Sequence, residues 1–123
     1  MNNYRVIDKT FRFSLKLMDL YILLLRNEEI ELAEKMLKSS LSIRETLEEA
    51  LSAMSRQDYL SKLSESYNHA VQTRYWLKMI QMKHSVNNSC DDTVEAINEI
   101  INILNHLSHE SNEYNLNFQY QLN

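Results

Sequence analysis

Residues 8–25 read DKTFRFSLKLMDLYILLL, and this stretch decides the fold. Its apolar residues recur at intervals of three and four, the spacing of positions on one side of an α-helix. They form two stripes. The first stripe consists of Phe11, Leu15, Met18, Ile22 and Leu25, and the second stripe consists of Phe13, Leu17, Leu20 and Leu24. The pattern predicts an amphipathic helix with Asp8 as its N-cap. Two adjacent stripes make an apolar face wide enough for two neighbouring helices.

The same spacing returns three times further along the chain, so four helices are predicted. The second covers residues 29–54. Residues 55–58 (SRQD) are a variant of the capping box, and they start a third helix that reaches about residue 84. A polar break follows, in which Ser89 or Asp91 is the expected cap of the next helix.

The fourth helix is predicted over residues 92–111. Long helices joined by short links favour an all-α fold, an antiparallel up-down-up-down four-helix bundle. Residues 1–111 then form a single domain, and residues 112–123 form a polar tail, rich in Asn and Gln, that is expected to fray.

The composition of the 123 residues excludes several classes of protein. There is no glycine and no proline, whereas Gly-rich phosphate loops need a backbone that lacks a Cβ. Dinucleotide-binding fingerprints and P-loops are therefore absent. The single cysteine, Cys90, forms no intramolecular disulfide, which suits a reducing compartment.

No membrane contact is predicted, and we expect a cytoplasmic location. The longest apolar run, residues 20–25, is far shorter than the roughly 20 residues that a membrane span needs. The first five residues, MNNYR, do not begin a secretory signal of the usual kind.

Charge is distributed unevenly along the chain. The formal net charge is −4, yet every Lys and Arg lies in residues 1–83, which leaves residues 84–123 acidic. Nucleic-acid binding would need a basic surface. Five cations are candidate phosphate contacts: Arg12, Lys16, Lys35, Lys38 and Arg44. The alternative is that they support their own helices through acid-before-base pairs four residues apart, such as Glu31 with Lys35 and Glu34 with Lys38.

The sequence offers little to catalysis. No glutamate stands three residues before a histidine, as di-iron bundles require. His106 and His109, followed by Glu110 and Glu113, resemble a zinc-binding helix only loosely, and they lie beside the polar tail. The thiol pKa of Cys90 should be raised by its acidic neighbours. We therefore predict no catalytic residue, no metal, no cofactor and no enzymatic function.

Arg74, Tyr75 and Trp76 form the most suggestive cluster. Three successive large residues on a helix span about 200°, so they cannot all face one core. At least one is expected to contact another subunit or a partner, where Trp, Tyr and Arg are favoured anchors. The alternative is that Trp76 closes the bundle while Tyr75 lies on the surface.

Several strings in order resemble a family of small bacterial four-helix bundle proteins. Asp8-Lys9-Thr10-Phe11-x-Phe13 is similar to the family's D-K-S-x-x-F opening, and Ser39 with Ser42-Ile43 and Glu49-Ala50 is similar to R-S-x-x-S-I-x-x-N-I-x-E-A. Residues 55–63 resemble S-x-x-D-F-x-x-K-L, and residues 73–77 resemble the end of E-T-R-Y-W-L. The resemblance covers about residues 8–107. The family includes 23S rRNA-intervening sequence proteins and the accessory variability determinants of diversity-generating retroelements.

The chain departs from this pattern at three positions. Arg44 stands where the family often has glycine or proline, Thr46 replaces asparagine, and Gln72 replaces glutamate. The resemblance implies a homopentameric barrel around a central channel. It also implies, for the retroelement members, a reverse transcriptase and RNA or DNA as partners. Those members are basic, whereas this chain has a pI near 5.5.

Taken together, these observations predict a non-enzymatic, homo-oligomeric scaffold or interaction protein, with the second helix and the cluster at Tyr75 and Trp76 as candidate interfaces. The alternative is a nucleic-acid-binding accessory protein of a diversity-generating retroelement reverse transcriptase. Salt distinguishes the two alternatives, because binding to nucleic acid weakens steeply as the salt concentration rises, whereas a protein interface is not expected to.

Overall fold

The computed structural model describes residues 3–83 and 87–122, which contain four α-helices and no strand. The helices are α1 (Asn3–Arg26), α2 (Ile30–Leu51), α3 (Arg56–Lys83) and α4 (Asn87–Leu122). Each packs against the next along the chain, and α1 also packs against α4, whereas α1 and α3 lie diagonally across the core from each other in the described part of the chain. The all-α four-helix prediction is confirmed. The short links between α1, α2 and α3 give the alternating directions of a four-helix bundle.

The core lies between the four helices and is apolar. From α1 it takes the whole second stripe, whose side chains are at most 2% exposed. The residues that meet this stripe from α3 and α4 keep the helical spacing of three and four: Leu63, Ala70, Leu77 and Ile80, and Ile97, Ile100, Ile101 and Leu104.

The helix α1 begins earlier than the sequence predicted. It starts at Asn3, so Asp8 lies inside the helix and its carboxylate accepts a hydrogen bond from Arg12 Nε at 3.0 Å. The N-cap prediction for Asp8 is therefore wrong. The reason is tertiary packing, because the buried side chains of Val6 and Thr10 continue the inward face N-terminal to the second stripe.

The link between α1 and α2 is a tight C-terminal cap without glycine. Glu28 adopts a left-handed conformation with φ of 62°. The N–H of Glu29 donates to the carbonyl of Leu24 at 3.0 Å, the long backbone bond of a Schellman motif. A glutamate therefore occupies the position that helices usually give to glycine.

The link between α2 and α3 confirms one predicted cap and corrects one helix end. Ser55 Oγ accepts a hydrogen bond from the N–H of Asp58 at 3.1 Å, as the capping-box variant predicted. The helix α2, however, ends at Leu51 and not at Met54, whose side chain is 98% exposed. The sequence predicted a further turn because Met54 is apolar and fits the helical spacing of the residues before it.

The helix α4 is longer than predicted at both ends. It begins at Asn87 and runs to Leu122, so the proposed caps Ser89 and Asp91 lie within it. Short polar side chains favour caps and turns, which made this stretch read as a break. The buried side chains of Cys90 and Thr93 instead continue the inward face of the helix. The predicted end of the third helix at residue 84 lies outside the described residues.

Candidate interaction surfaces

The first stripe of α1 points away from the core. Its five side chains are between 38% and 56% exposed. The sequence indicated a face wide enough for two neighbours, but α2 and α4 cover only the second stripe. The spacing of four, three, four and three residues along the first stripe is that of a coiled-coil seam. Sequence reasoning recognised these residues as apolar but did not assign them to a surface.

Two apolar side chains of α2 extend this surface. Ile30 and Leu41 are exposed and lie on nearly the same side of α2 because they are eleven residues, about three turns, apart. The helix α2 packs only against α1 and α3. Since the α3 side of α2 carries Lys38 and Ser42, helical geometry turns Ile30 and Leu41 toward α1. The first stripe, Ile30 and Leu41 together define what we call the outer apolar face.

The side chains of Arg74, Tyr75 and Trp76 point in three different directions. Arg74 Nη1 donates to Asn98 Oδ1 of α4 at 3.0 Å, and Trp76 packs on the core while also lining the surface toward α2. Tyr75 is exposed, with its ring edge-on to Trp76 at 5.1 Å between centroids. The three residues thus do not share one face. Their role as a subunit or partner interface stays a prediction.

A groove on the surface between α2 and α3 consists of two pockets that meet at Lys35 and Trp76. One half, of about 460 Å³, lies near the N-terminus of α2, and its lining includes Leu32, Met79 and Met82. The other half, of about 340 Å³, is polar, and its lining includes Lys38 and His69. Lys35 and Trp76 line both halves, with the ammonium of Lys35 5.3 Å from the ring centroid of Trp76. We call the two halves together the α2–α3 groove.

Beneath this groove the two helices meet through small hydroxyl side chains, which we call the α2–α3 seam. Thr73 Oγ1 lies 2.8 Å from Ser39 Oγ, and Ser66 Oγ donates to the carbonyl of Ile43 at 2.9 Å. All three hydroxyl-bearing side chains are buried. Ser39, Ile43 and Thr73 belong to the strings that carry the family resemblance. Part of the recognisable pattern is therefore the contact between α2 and α3.

The five candidate phosphate contacts do not form one patch. Arg12 and Lys16 line a depression between α1 and α4, whereas Lys35 and Lys38 line the groove between α2 and α3. Around the bundle, the pair of neighbours α1 and α4 faces away from the pair α2 and α3, so these two sites lie on opposite sides. Arg44 is paired with Glu48 on its own helix at 2.9 Å. Their contact with nucleic acid stays a prediction.

Three of these cations pair within their own helix, and two of the pairs have the acid-before-base order that the alternative interpretation favours, since Arg44 precedes its partner. Besides Arg44, Arg12 pairs with Asp8 at 3.0 Å and Lys35 with Glu31 at 3.4 Å. Lys38 has no ion pair among the described residues, so the expected pair with Glu34 is not seen there. Lys38 is thus the cation of α2 that is free to meet an external anion.

The acidic fourth helix is held to the basic first helix by an ion pair. Lys9 Nζ lies 2.9 Å from Glu99 Oε2, and the hydrogen bond from Lys9 lowers the pKa of the Glu99 carboxyl. On the other side of the bundle, Lys62 bridges Glu49 and Glu65, and the hydrogen bond to Glu49 is the main cause that raises the pKa of Lys62. These pairs join neighbouring helices and helix turns.

Cys90 is a buried thiol of α4. Its Sγ lies 3.3 Å from the carbonyl of Leu77, and burial, followed by the charge of Asp91, raises the pKa of the thiol to about 11. The sequence predicted the upward direction from the acidic neighbours, but burial is the larger cause. A thiol with this pKa is protonated at neutral pH and is a weak nucleophile.

Neither a metal centre nor a membrane span emerges from the described part of the chain. Within residues 3–83 and 87–122, no three His, Cys, Asp or Glu side chains are grouped so as to hold a metal ion. His106 and His109 are both exposed on α4. Over the same residues, no helix combines the length and the apolar character that crossing a bilayer requires.

The fold and its surfaces define a four-helix bundle whose recognisable residues lie at helix contacts. The chain belongs to the 23S rRNA-intervening sequence protein family, whose model matches residues 2–106. The resemblance drawn from the sequence is confirmed for this family. The likeness to retroelement accessory proteins stays a prediction.

A solved structure supports the same assignment. The chain is similar to a protein of unknown function from the S23 ribosomal protein family of Bacteroides thetaiotaomicron, with a TM-score of 0.82 and 25% identity. The match covers 89% of this chain and 99% of that one. A search of curated proteins finds no match.

Proposed function

We propose that the protein is a non-enzymatic scaffold that assembles from identical copies through the outer apolar face. The observation that carries the proposal is the exposure of the whole first stripe of α1. Water is a poor environment for a continuous row of large apolar side chains, and such a row on a monomer marks an interaction site. The partner we propose is a second copy of the chain, which carries exposed apolar helix surface of its own on α1 and α2.

The spacing of the row favours a helix as its occupant. Alternating intervals of four and three keep the side chains in one line that a neighbouring helix can follow, with each side chain entering a hole of the partner. Covering a Leu, Ile, Phe or Met side chain completely stabilises an assembly by about 1.5–3 kcal/mol. The side chains of the first stripe are about half exposed, so each offers roughly half of that amount.

The resemblance supplies the proposed number of subunits, which is five. A ring forms when one surface patch binds a different patch of the next copy and the rotation between copies closes, whereas the same patch packed on itself gives a dimer. Ile30 and Leu41 lie on α2, beside the first stripe on α1, so the outer apolar face spans two helices. Such a face is able to contact two helices of a neighbour. The scaffold would act by presenting the same outward surfaces on every copy.

Native mass spectrometry on the purified chain tests the assembly directly. We expect a multiple of the 14.7 kDa protomer, with five copies as the proposed number. Leu15→Lys places a charge in the middle of the first stripe and should shift the population to single chains. The matched control is Met82→Lys, which changes an exposed side chain of α3, a helix that contributes no residue to the outer apolar face.

Three results would contradict the proposal in different ways. A wild-type chain that is monomeric at all concentrations would exclude self-assembly. An oligomer that survives Leu15→Lys but dissociates with Met82→Lys would move the interface to α3, near Tyr75. An oligomer of another number would retain the scaffold but remove the pentamer. Circular dichroism of each variant establishes that the helices remain folded.

A further inference from the structure

We propose that the α2–α3 groove is a binding site for an anionic amphiphile, a small molecule with an apolar chain and a negatively charged head group. The apolar chain of the ligand would lie in the half lined by Leu32, Met79 and Met82, and its head group in the half lined by Lys38 and His69. The inference does not rest on the proposed assembly, because it concerns a different side of the bundle.

The apolar half has the character of a small-molecule site. Its volume, about 460 Å³, falls within the range that ligand pockets usually occupy. Methionine side chains are flexible and polarizable, so Met79 and Met82 can adapt to a chain without a fixed shape. The charged residues of this half are already paired, Lys83 with Glu29 at 3.2 Å and Lys35 with Glu31 at 3.4 Å. This half therefore carries no net charge for a ligand to satisfy.

The polar half is charged in one sense only. No carboxylate belongs to its lining, which consists of Lys35, Lys38, Ser39, Ser42, His69, Gln72 and Trp76. Lys38 is exposed and has no ion pair among the described residues, so its ammonium is free to donate to an anion. The amide of Gln72 supplies a further donor, whereas the hydroxyl of Ser42 already donates to the carbonyl of Lys38 at 3.0 Å. Charge complementarity thus favours an anionic head group at this end.

Trp76 and Lys35 lie at the boundary between the two halves. The ring of Trp76 lines both, and the ammonium of Lys35 lies 5.3 Å from the ring centroid, a distance typical of a cation–π contact. The lining residues of α2 extend from Glu31 to Ser42, which corresponds to about 16 Å along the helix. An extended chain with one charged end fits a groove that changes from apolar to cationic along its length.

The fluorescence of Trp76 reports binding directly, since it is the only tryptophan of the chain. Decanoate and decyl phosphate are the anionic probes, titrated below their micelle concentrations, and decanol is the matched neutral probe. Acetate and inorganic phosphate supply the head groups without a chain. We expect saturable blue shifts with both anionic amphiphiles, weaker binding of decanol, and no shift with acetate or phosphate. The relative affinities of decanoate and decyl phosphate distinguish the two head groups.

Two variants separate the halves of the groove. Lys38→Gln should weaken decanoate about tenfold, the size of one charge-assisted hydrogen bond, and leave decanol unchanged. Met79→Ala should weaken decanoate and decanol alike, because it removes apolar contact from the chain. Lys16→Gln is the control for Lys38→Gln, since it removes the same charge from the opposite side of the bundle. It should change neither affinity.

Several outcomes would overturn the inference. Equal affinity for decanol and decanoate, with no effect of Lys38→Gln, would exclude recognition of the head group. An equal loss with Lys16→Gln would show that net charge alone attracts the probe. A single-stranded oligonucleotide that binds through Lys38 while decanoate does not would assign the groove to nucleic acid. Absence of a saturable shift with every probe would remove the site. The mass of the assembly, measured with and without decanoate, keeps this test separate from that of the scaffold.

Discussion

The α2–α3 seam buries polar side chains, whereas the outer apolar face exposes apolar ones. At the seam, the hydroxyl-bearing side chains of Ser39, Ser66 and Thr73 are buried and hydrogen-bonded. On the outer apolar face, large side chains such as Leu15 and Ile22 are exposed. Small side chains allow two helices to approach closely, and their hydroxyls find acceptors on the neighbouring helix or one turn back on their own. Burial is therefore decided by where the next helix lies.

The largest expected effect compares two leucines of the same helix. Leu20→Ala creates a cavity in the second stripe and should lower the free energy of unfolding by about 3 kcal/mol. Leu15→Ala in the first stripe should leave the folded protomer almost unchanged but weaken its assembly. Thermal unfolding at several protein concentrations separates the two, because only an assembling chain has a concentration-dependent Tm.

The contrast between the two stripes is wrong if both variants have the same effect on stability and assembly. Equal losses of protomer stability, independent of protein concentration, would mean that Leu15 is as buried in the monomer as Leu20. If the dependence of Tm on protein concentration disappears with Leu15→Ala but persists with Leu20→Ala, the first stripe serves assembly and the second stripe serves the fold of the protomer.

The next effect tests the close approach of α2 and α3. Ser66 is fully buried at the seam, so Ser66→Leu adds volume where there is no space and removes the hydrogen bond to Ile43. We expect a loss of about 2 kcal/mol in the free energy of unfolding, measured with urea. The matched control is Ser61→Leu, on the exposed side of α3, with a change below about 0.5 kcal/mol. Similar values for both variants would show that the seam is loosely packed.

A smaller and opposite effect concerns the link that fixes α1 against α2. Glu28 has a φ of 62°, where a residue with a Cβ is strained and glycine is not. Glu28→Gly should therefore raise the free energy of unfolding by about 1 kcal/mol. Glu28→Ala is the control, since it removes the charge but keeps the Cβ. Stabilisation by alanine as large as that by glycine would assign the effect to charge.

The smallest effect lies on the charged side of α1. Lys9 lowers the pKa of Glu99 in the folded chain, so this carboxyl stabilises the fold above its unfolded pKa of about 4.3. That contribution disappears as the pH falls through the lower folded value. Lys9→Gln should raise the pKa of Glu99, measured by NMR titration of its carboxyl carbon, and change stability by less than about 0.5 kcal/mol because the pair is exposed. An unchanged pKa would exclude the ion pair in solution.

Local rules predicted the elements of this fold well and their ends less well. Ser55 was recognised as a cap because a serine three residues before an acid has a direct hydrogen-bonding consequence. Ser89, three residues before Asp92, has the same local signature, and Asp8 is also of a residue type that favours caps, yet both lie within helices. Their helices extend further because buried neighbours such as Val6 and Cys90 continue the inward face. Contacts with other helices outweigh a cap worth about 1 kcal/mol.

The candidate surfaces were less accessible to sequence reasoning. The spacing of Arg74, Tyr75 and Trp76 established that they diverge, but not which neighbour each one meets. The α2–α3 groove joins Lys38 to residues more than thirty positions away, including His69 and Trp76. No local pattern relates such positions, because their proximity depends on how α2 and α3 cross.

The sequence by itself determined four helices, their amphipathic character, the absence of glycine-dependent sites and the resemblance to the family. These properties follow from residue type and from the angle of each residue about its own helix axis. Only the tertiary structure decided that the second stripe is buried and the first exposed, that Cys90 lies inside α4, and that Lys16 and Lys38 are on opposite sides. Periodicity fixes which residues of a helix share a side, whereas the position of the neighbouring helices decides which sides are covered.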